Sequence, residues 1–225
     1  MTDAALPPDR ADGPPRSRLW LEFAALFFAV PLAMWFWFGA YSLFGVLWLL
    51  TLVALGLLAL TPDFSWRALL RLGGRRDWLI ALGFTVVTAL VCLVAVLALR
   101  PWALLSMPMD RTGLWLMILT LYPPLSALPQ EIIYRTLFFE RYRRLFPDAR
   151  VAVLANGAAF GLGHLFFMHP LTIAMTACGG AVIGWAYLRS GSTLLAVAMH
   201  SAAGLIVFTM GLGVYFYSGA VGRGF

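Results

Sequence analysis

The sequence predicts an all-α, polytopic membrane protein of seven to eight transmembrane helices with a buried polar site. Three observations predict it. The 225-residue chain is 62% hydrophobic and 12% charged, where a soluble domain carries about 25% charged residues. Its mean hydropathy is +0.86. Uncharged apolar runs recur along most of its length, each long enough to cross a hydrocarbon core of about 30 Å.

The elements follow in order. Residues 1–18 are polar and Pro-rich and read as a disordered cytoplasmic tail. Apolar segments follow at 19–39, 42–61, 78–99, 114–140, 151–168, 171–188 and 192–213. The first is too long for a signal-peptide core and lacks a small-x-small cleavage site, so it reads as a retained helix. The fourth contains Pro123, Pro124 and Pro129. A proline removes a backbone donor and clashes with the preceding turn. This predicts a broken span that restarts near Leu128 and runs towards Leu145, and an eighth helical piece would come from the break. Gly157, Gly161 and Gly163 in span five, and Gly179, Gly180 and Gly184 in span six, are the composition of close helix packing. The chain then divides into the tail 1–18, three helices with their loops at 19–113, a helical core at 114–213 that carries the site, and a C-terminal tail at 214–225.

All sixteen basic residues are arginines. Arg10, Arg16, Arg18, Arg67, Arg71, Arg75, Arg76, Arg141, Arg143, Arg144, Arg150 and Arg189 fall on one side if each span crosses once. Only Arg100, Arg111 and Arg223 fall on the other. The positive-inside rule puts the N-terminus and the Arg-rich connections in the cytoplasm. The expected location is the cell inner membrane, as a multi-pass protein. Topology accounts for the basic pI of about 9.9, so the bilayer is the expected partner and nucleic acid is not. Cys92 and Cys178 lie in apolar segments without CxxC spacing, which excludes a structural zinc finger and reads as small core residues.

Three ionisable side chains sit deep in apolar helices: Glu131, His164 and His200. A charge at the bilayer centre costs about 3 kcal/mol on insertion scales. Counted along their helices, the three lie roughly 15, 20 and 12 Å from the cytoplasmic face, which is what a shared site needs. Glu131 and Arg135 are four residues apart on one helix face, so the arginine can hold the carboxylate ionised. Phe160 and His164 are also four apart, so the ring can wall the site. A carboxylate can act as general base on water, and a neutral imidazole can orient water or polarise a carbonyl. Glu131, His164 and His200 are also a ligand set that can bind a divalent metal such as zinc, although the reading requires no metal. HExxH is absent. His169 and Glu140 read as solvated boundary residues, Glu22 as an interfacial carboxylate, and Tyr122 and Tyr134 as packing aromatics.

The segments PQEIIYRTLFFERY, FGLGH and AVAMHSAAG resemble the CAAX protease and bacteriocin-processing family. These are intramembrane endopeptidases related to the type II prenyl endopeptidase. The family pattern is EExxxR, then FxxxH, then HxxxN. Gln130, Glu131 and Arg135 match the first with one change, Phe160 and His164 match the second, and His200 begins the third. The resemblance covers about residues 120–215. It implies hydrolysis of a peptide bond in a membrane-associated peptide or protein, with Glu131, His164 and His200 as catalytic residues and Gln130, Arg135 and Phe160 in support.

Two positions depart from the pattern. Gln130 stands where the family's leading, water-activating Glu is expected, and Gly204 stands where its Asn is expected. Glu131 is then expected to activate water held by His164, with His200 and Gln130 on the oxyanion. The water-filled cavity this needs is expected to open to the cytoplasm. A non-hydrolysing binding or scaffold protein is the alternative. A proton or small-molecule transporter is a third reading, disfavoured by the lack of inverted repeats.

Overall fold

The computed structural model describes residues 13–37 and 43–216. The tail up to residue 12 with Arg10, the turn at 38–42, and the C-terminal segment from 217 with Arg223 lie outside the described residues. Within them every regular element is helical. Five helices are long and apolar enough to cross a membrane: α1 Arg16–Phe36, α3 Arg75–Leu99, α4 Thr112–Arg141, α5 Ala149–Phe167 and α6 Pro170–Ser190. Two shorter apolar helices, α2 Leu43–Ala59 and α7 Thr193–Thr209, complete a bundle of seven. The chain is a multi-pass membrane protein.

Local chemistry sets the boundaries. Pro15 precedes α1, and the Arg18–Glu22 pair at 2.9 Å spans its first turns. Helix therefore starts at Arg16, and the last residues assigned to the tail are already ordered. Asp148 caps α5 by accepting from the Arg150 and Val151 amides at 2.7 and 2.9 Å. Ser192 caps α7 by accepting from the Leu195 amide at 3.0 Å. The α6–α7 turn passes through Gly191 at φ 61°, a left-handed conformation that glycine adopts without strain.

The expected break in α4 does not occur. The helix runs unbroken from Thr112 to Arg141, so no eighth span arises. It widens into π-helix at Pro123–Ala127 and again at Ile132–Leu137, with one α-helical turn, Leu128–Glu131, between. A π turn shifts bonding from i−4 to i−5, and this accommodates the prolines. Past Arg141 the chain makes only a 3₁₀ turn at Arg143–Leu145.

The tightest helix pair is α5 against α6. A Cβ on Gly157 would lie 2.7 Å from the Ala177 carbonyl oxygen, and one on Gly161 2.9 Å from the Ala177 Cβ. Glycine at both positions lets the backbones touch.

Polar contacts gather the Arg-rich connections at one end. Arg141 bonds Glu22, Arg189 bonds Asp77 at 3.1 Å, Arg16 reaches the Leu145 carbonyl at 3.4 Å, and the Ser192 hydroxyl bonds the Arg71 carbonyl. The opposite end joins Trp35 to Met168, and Arg100 to Trp102 and Tyr215. Consecutive helices alternate in direction between these two ends.

Candidate active site

The π segments of α4 dictate which side chains face which way. In the second one, the Tyr134 carbonyl accepts from its neighbour Arg135 Nη1 at 3.2 Å and from the Asn156 amide of α5. Asn156 is fully buried. Its amide pins an irregular turn and does not replace the side chain missing at Gly204.

Glu131 and Arg135 are 0% exposed. Glu131 Oε2 lies 3.2 Å from Arg135 Nε, and Oε1 lies 2.7 Å from His200 Nδ1 on α7. The Arg135 guanidinium sits 4.7 Å over the Phe160 ring, within range of a cation–π attraction. Phe160 also meets His200 and His164 edge-on, with ring centroids 5.4 and 4.6 Å apart. The structure thus brings Glu131, Arg135 and His200 into direct contact. His164 joins them across the Phe160 ring. It sits just past the regular turns of α5, at φ −101° and ψ 3°, where its Nδ1 bonds the Phe160 carbonyl at 2.8 Å.

These partners assign the tautomers. A carboxylate and a carbonyl oxygen can only accept, so the proton of each imidazole is on Nδ1. Both rings therefore present an Nε2 lone pair. Neither Nε2 has a hydrogen bond within the described residues, and both histidines line a cavity of about 1280 Å³.

The polar inner end of this cavity is formed by Tyr122, Ser126, Gln130, His164 and His200. Gln130 Nε2 donates to Ser126 Oγ at 3.0 Å. Glu131 and Arg135 are not among the lining residues. Neighbouring residues on a helix point about 100° apart, and here Gln130 takes the cavity side. The cavity extends away from the Arg-rich connections, through the remote halves of α3, α4 and α7, to Asp110 and Arg111 at the exposed far end. The expected opening on the Arg-rich side is corrected by this. The reason is that His164 and Gln130 both face the far half of the bundle.

The suggested metal set does not converge as ligands. Both oxygens of Glu131 face Arg135 and His200, and among the described residues no group of three or more His, Cys, Asp or Glu is placed to hold a metal ion.

Two further features were not read from the sequence. Glu22 is an ion-pair partner of Arg141 and not an interfacial carboxylate, and Glu140 accepts from Tyr187 at 3.2 Å. The second is Tyr122, whose ring packs 5.9 Å from His200 and directly over Gly204, where a Cβ would overlap its ring and hydroxyl. The available signal was Gly204 itself: a glycine at a position that asks for a polar side chain calls for something else in that space.

No curated protein and no solved structure shows significant similarity to the chain. Residues 110–206 match the family described as type II CAAX prenyl endopeptidase Rce1-like. That stretch contains Tyr122, Gln130, Glu131, Arg135, Asn156, Phe160, His164, His200 and Gly204. The segment of this membrane protein that builds the polar end of the cavity is thus the one that carries the Rce1-like sequence pattern.

Proposed function

We propose that this protein is an intramembrane endopeptidase, cutting a membrane-associated peptide or protein with water as the nucleophile. The observation that carries the reading is the Glu131–His200 contact at 2.7 Å beneath a cavity. A carboxylate on Nδ1 holds the imidazole in the tautomer that accepts a proton at Nε2, and it stabilises the imidazolium that results. His200 is accordingly the base. Glu131 is a positioning residue that acts through it, and Arg135 holds Glu131. Assigning the base to His200 instead of Glu131 rests on the burial of Glu131 away from the cavity.

Water bonded to the Nε2 atoms of His200 and His164 is oriented by the second and deprotonated by the first. Its oxygen attacks the scissile carbonyl carbon, and the carbonyl electrons move to oxygen. The Gln130 amide can donate to that oxyanion. His200 returns the proton to the leaving amine as the C–N bond breaks. No step requires a metal.

The substrate enters from the hydrocarbon. Phe44, Val87, Leu121 and Leu125 line the cavity and are also exposed on the outside of the bundle. With the Arg-rich end in the cytoplasm, the site is reached from the opposite half of the membrane, as expected for an inner-membrane enzyme acting on an apolar or membrane-anchored tail.

A non-hydrolysing relative is favoured by one specific observation: the cavity-facing residue at the leading position is Gln130, not an acid. Purified protein in liposomes, offered internally quenched peptides with an apolar C-terminal segment, separates the two. We expect cleavage that persists with 1,10-phenanthroline and falls by about 10³-fold in His200→Ala, within the range for loss of a general base. Peptide binding without cleavage by the unaltered protein would establish the second reading.

A further inference from the structure

Resting on the hydrolytic reading above, we infer that the Tyr122 hydroxyl is an oxyanion donor of this site, standing in for the side chain that Gly204 lacks. Both imidazoles carry their proton on Nδ1, bound to Glu131 and to the Phe160 carbonyl. Neither has an N–H left to donate to a developing negative charge. A tetrahedral intermediate still needs donors, and these are worth about 10²–10³-fold in rate each. Two remain among the cavity-lining groups beside His200: the amide of Gln130 and the phenol of Tyr122.

Tyr122 is placed for this by an exchange of volume. It is the last residue before the first π segment of α4. Its ring lies between His200 and Phe208, at 5.9 and 6.0 Å, and so covers the α7 turn that bears Gly204. A Cβ at Gly204 would collide with Cε1, Cζ and the hydroxyl oxygen of Tyr122. The space that a side chain on α7 would fill is therefore filled from α4, and what reaches it is an O–H. Tyr122 makes no hydrogen bond within the described residues, while Trp115, one helix turn and a half earlier on α4, has found a partner in Thr209. The hydroxyl is a donor without an acceptor at the polar end of a cavity.

The reaction balances without any change in Tyr122. Water supplies the nucleophile, His200 carries the proton to the leaving amine, and the phenol lends its O–H to the oxyanion and keeps its proton when the intermediate collapses.

The test uses full-length protein in liposomes. Tyr122→Phe removes the donor and keeps the ring. We expect kcat on a quenched peptide that the unaltered protein cleaves to fall by about 10²-fold with KM unchanged. Gly204→Asn alone should be inactive because it displaces the ring. Tyr122→Ala with Gly204→Asn restores the exchange in reverse, and should exceed Tyr122→Ala by at least 10-fold. A kcat for Tyr122→Phe equal to that of the unaltered protein overturns the inference and leaves the hydrolytic reading intact. If the unaltered protein cleaves no peptide, the hydrolytic reading fails. The inference is then judged on a phosphonopeptide, whose anionic oxygen mimics the intermediate: Tyr122→Phe should weaken its binding about 10-fold or more relative to the parent peptide, and equal binding overturns it.

Discussion

The bundle contains two acid–arginine pairs drawn out of water, and they are finished in different ways. At the Arg-rich end, Arg141 meets both oxygens of Glu22, at 2.7 and 3.0 Å, and its third nitrogen reaches Thr61 Oγ1 at 3.0 Å and the Leu57 carbonyl at 3.2 Å. Tyr142 donates to Glu22 as well, at 3.3 Å. Burial, reinforced by the Glu22 carboxylate, pushes the Tyr142 phenol up, so it stays protonated and remains a donor. Halfway along α4, Glu131 and Arg135 are buried more completely yet bonded less. Glu131 Oε2, Arg135 Nε and Arg135 Nη2 have no hydrogen-bond partner, and the pair is held by charge and by the Phe160 face. The first pair ties α1, α2 and α4 together and has no valence to spare. The second leaves one carboxylate oxygen committed to an imidazole that faces a cavity. A saturated ion pair serves architecture; an unsaturated one directs its field at something else.

The sharpest way to break this contrast is to neutralise the acid of each pair. Glu131→Gln strands a fully buried guanidinium, which costs about 3–5 kcal/mol. It also removes the anion behind His200. Cleavage should fall by at least 10²-fold, and thermal unfolding in detergent should move down by several degrees. Glu22→Gln acts on a side chain that is 17% exposed, and Tyr142 can still donate to it. We expect a loss of about 1–3 kcal/mol and kcat close to that of the unaltered protein. Equal kcat losses in the two variants would erase the distinction drawn here.

A smaller effect is expected where neither pair is touched. Gly157→Leu forces side-chain atoms against the Ala177 carbonyl and should lower stability by about 1–3 kcal/mol. Cleavage should fall only as the folded fraction falls, read by comparing activity with thermal unfolding at several temperatures. Least of all, Asn156→Ala leaves the Tyr134 carbonyl with Arg135 alone. About 1 kcal/mol of stability should go, with a modest rise in KM, because the turn that orients Arg135 loosens.

Much of the bundle was legible in the sequence, because crossing a membrane is a matter of length and apolarity. The apolar runs at 78–99 and 171–188 fall inside α3 and α6 within a few residues. The Arg-rich connections were legible for the same reason, and their side chains meet at one end. The spacing of Glu131 and Arg135 told which residues share a face, but not which way that face points. Orientation depends on turn geometry, and the prolines gave a misleading signal: local propensity says break, while the packed helix widens instead. So the partnership of Glu131 with His200 could be suspected from depth, but the choice of Gln130 for the cavity side could not. Tyr122 was hidden for another reason. Its role depends on the absence of a side chain 82 positions later in the chain, at Gly204, and hydrophobic periodicity carries no trace of such an exchange.

The paired π segments of α4 have a consequence for how such a helix can change. A π turn holds about one residue more than an α turn, and one residue is about 100° of rotation. Leu128–Glu131 is suspended between two such turns. Removing a single residue from Pro123–Ala127 would let that stretch relax to α-helix and turn the following segment by about the angle that separates Gln130 from Glu131. The helix therefore works as a phase adjuster. A one-codon deletion, with no substitution at all, would be enough to exchange an amide for a carboxylate at the cavity surface.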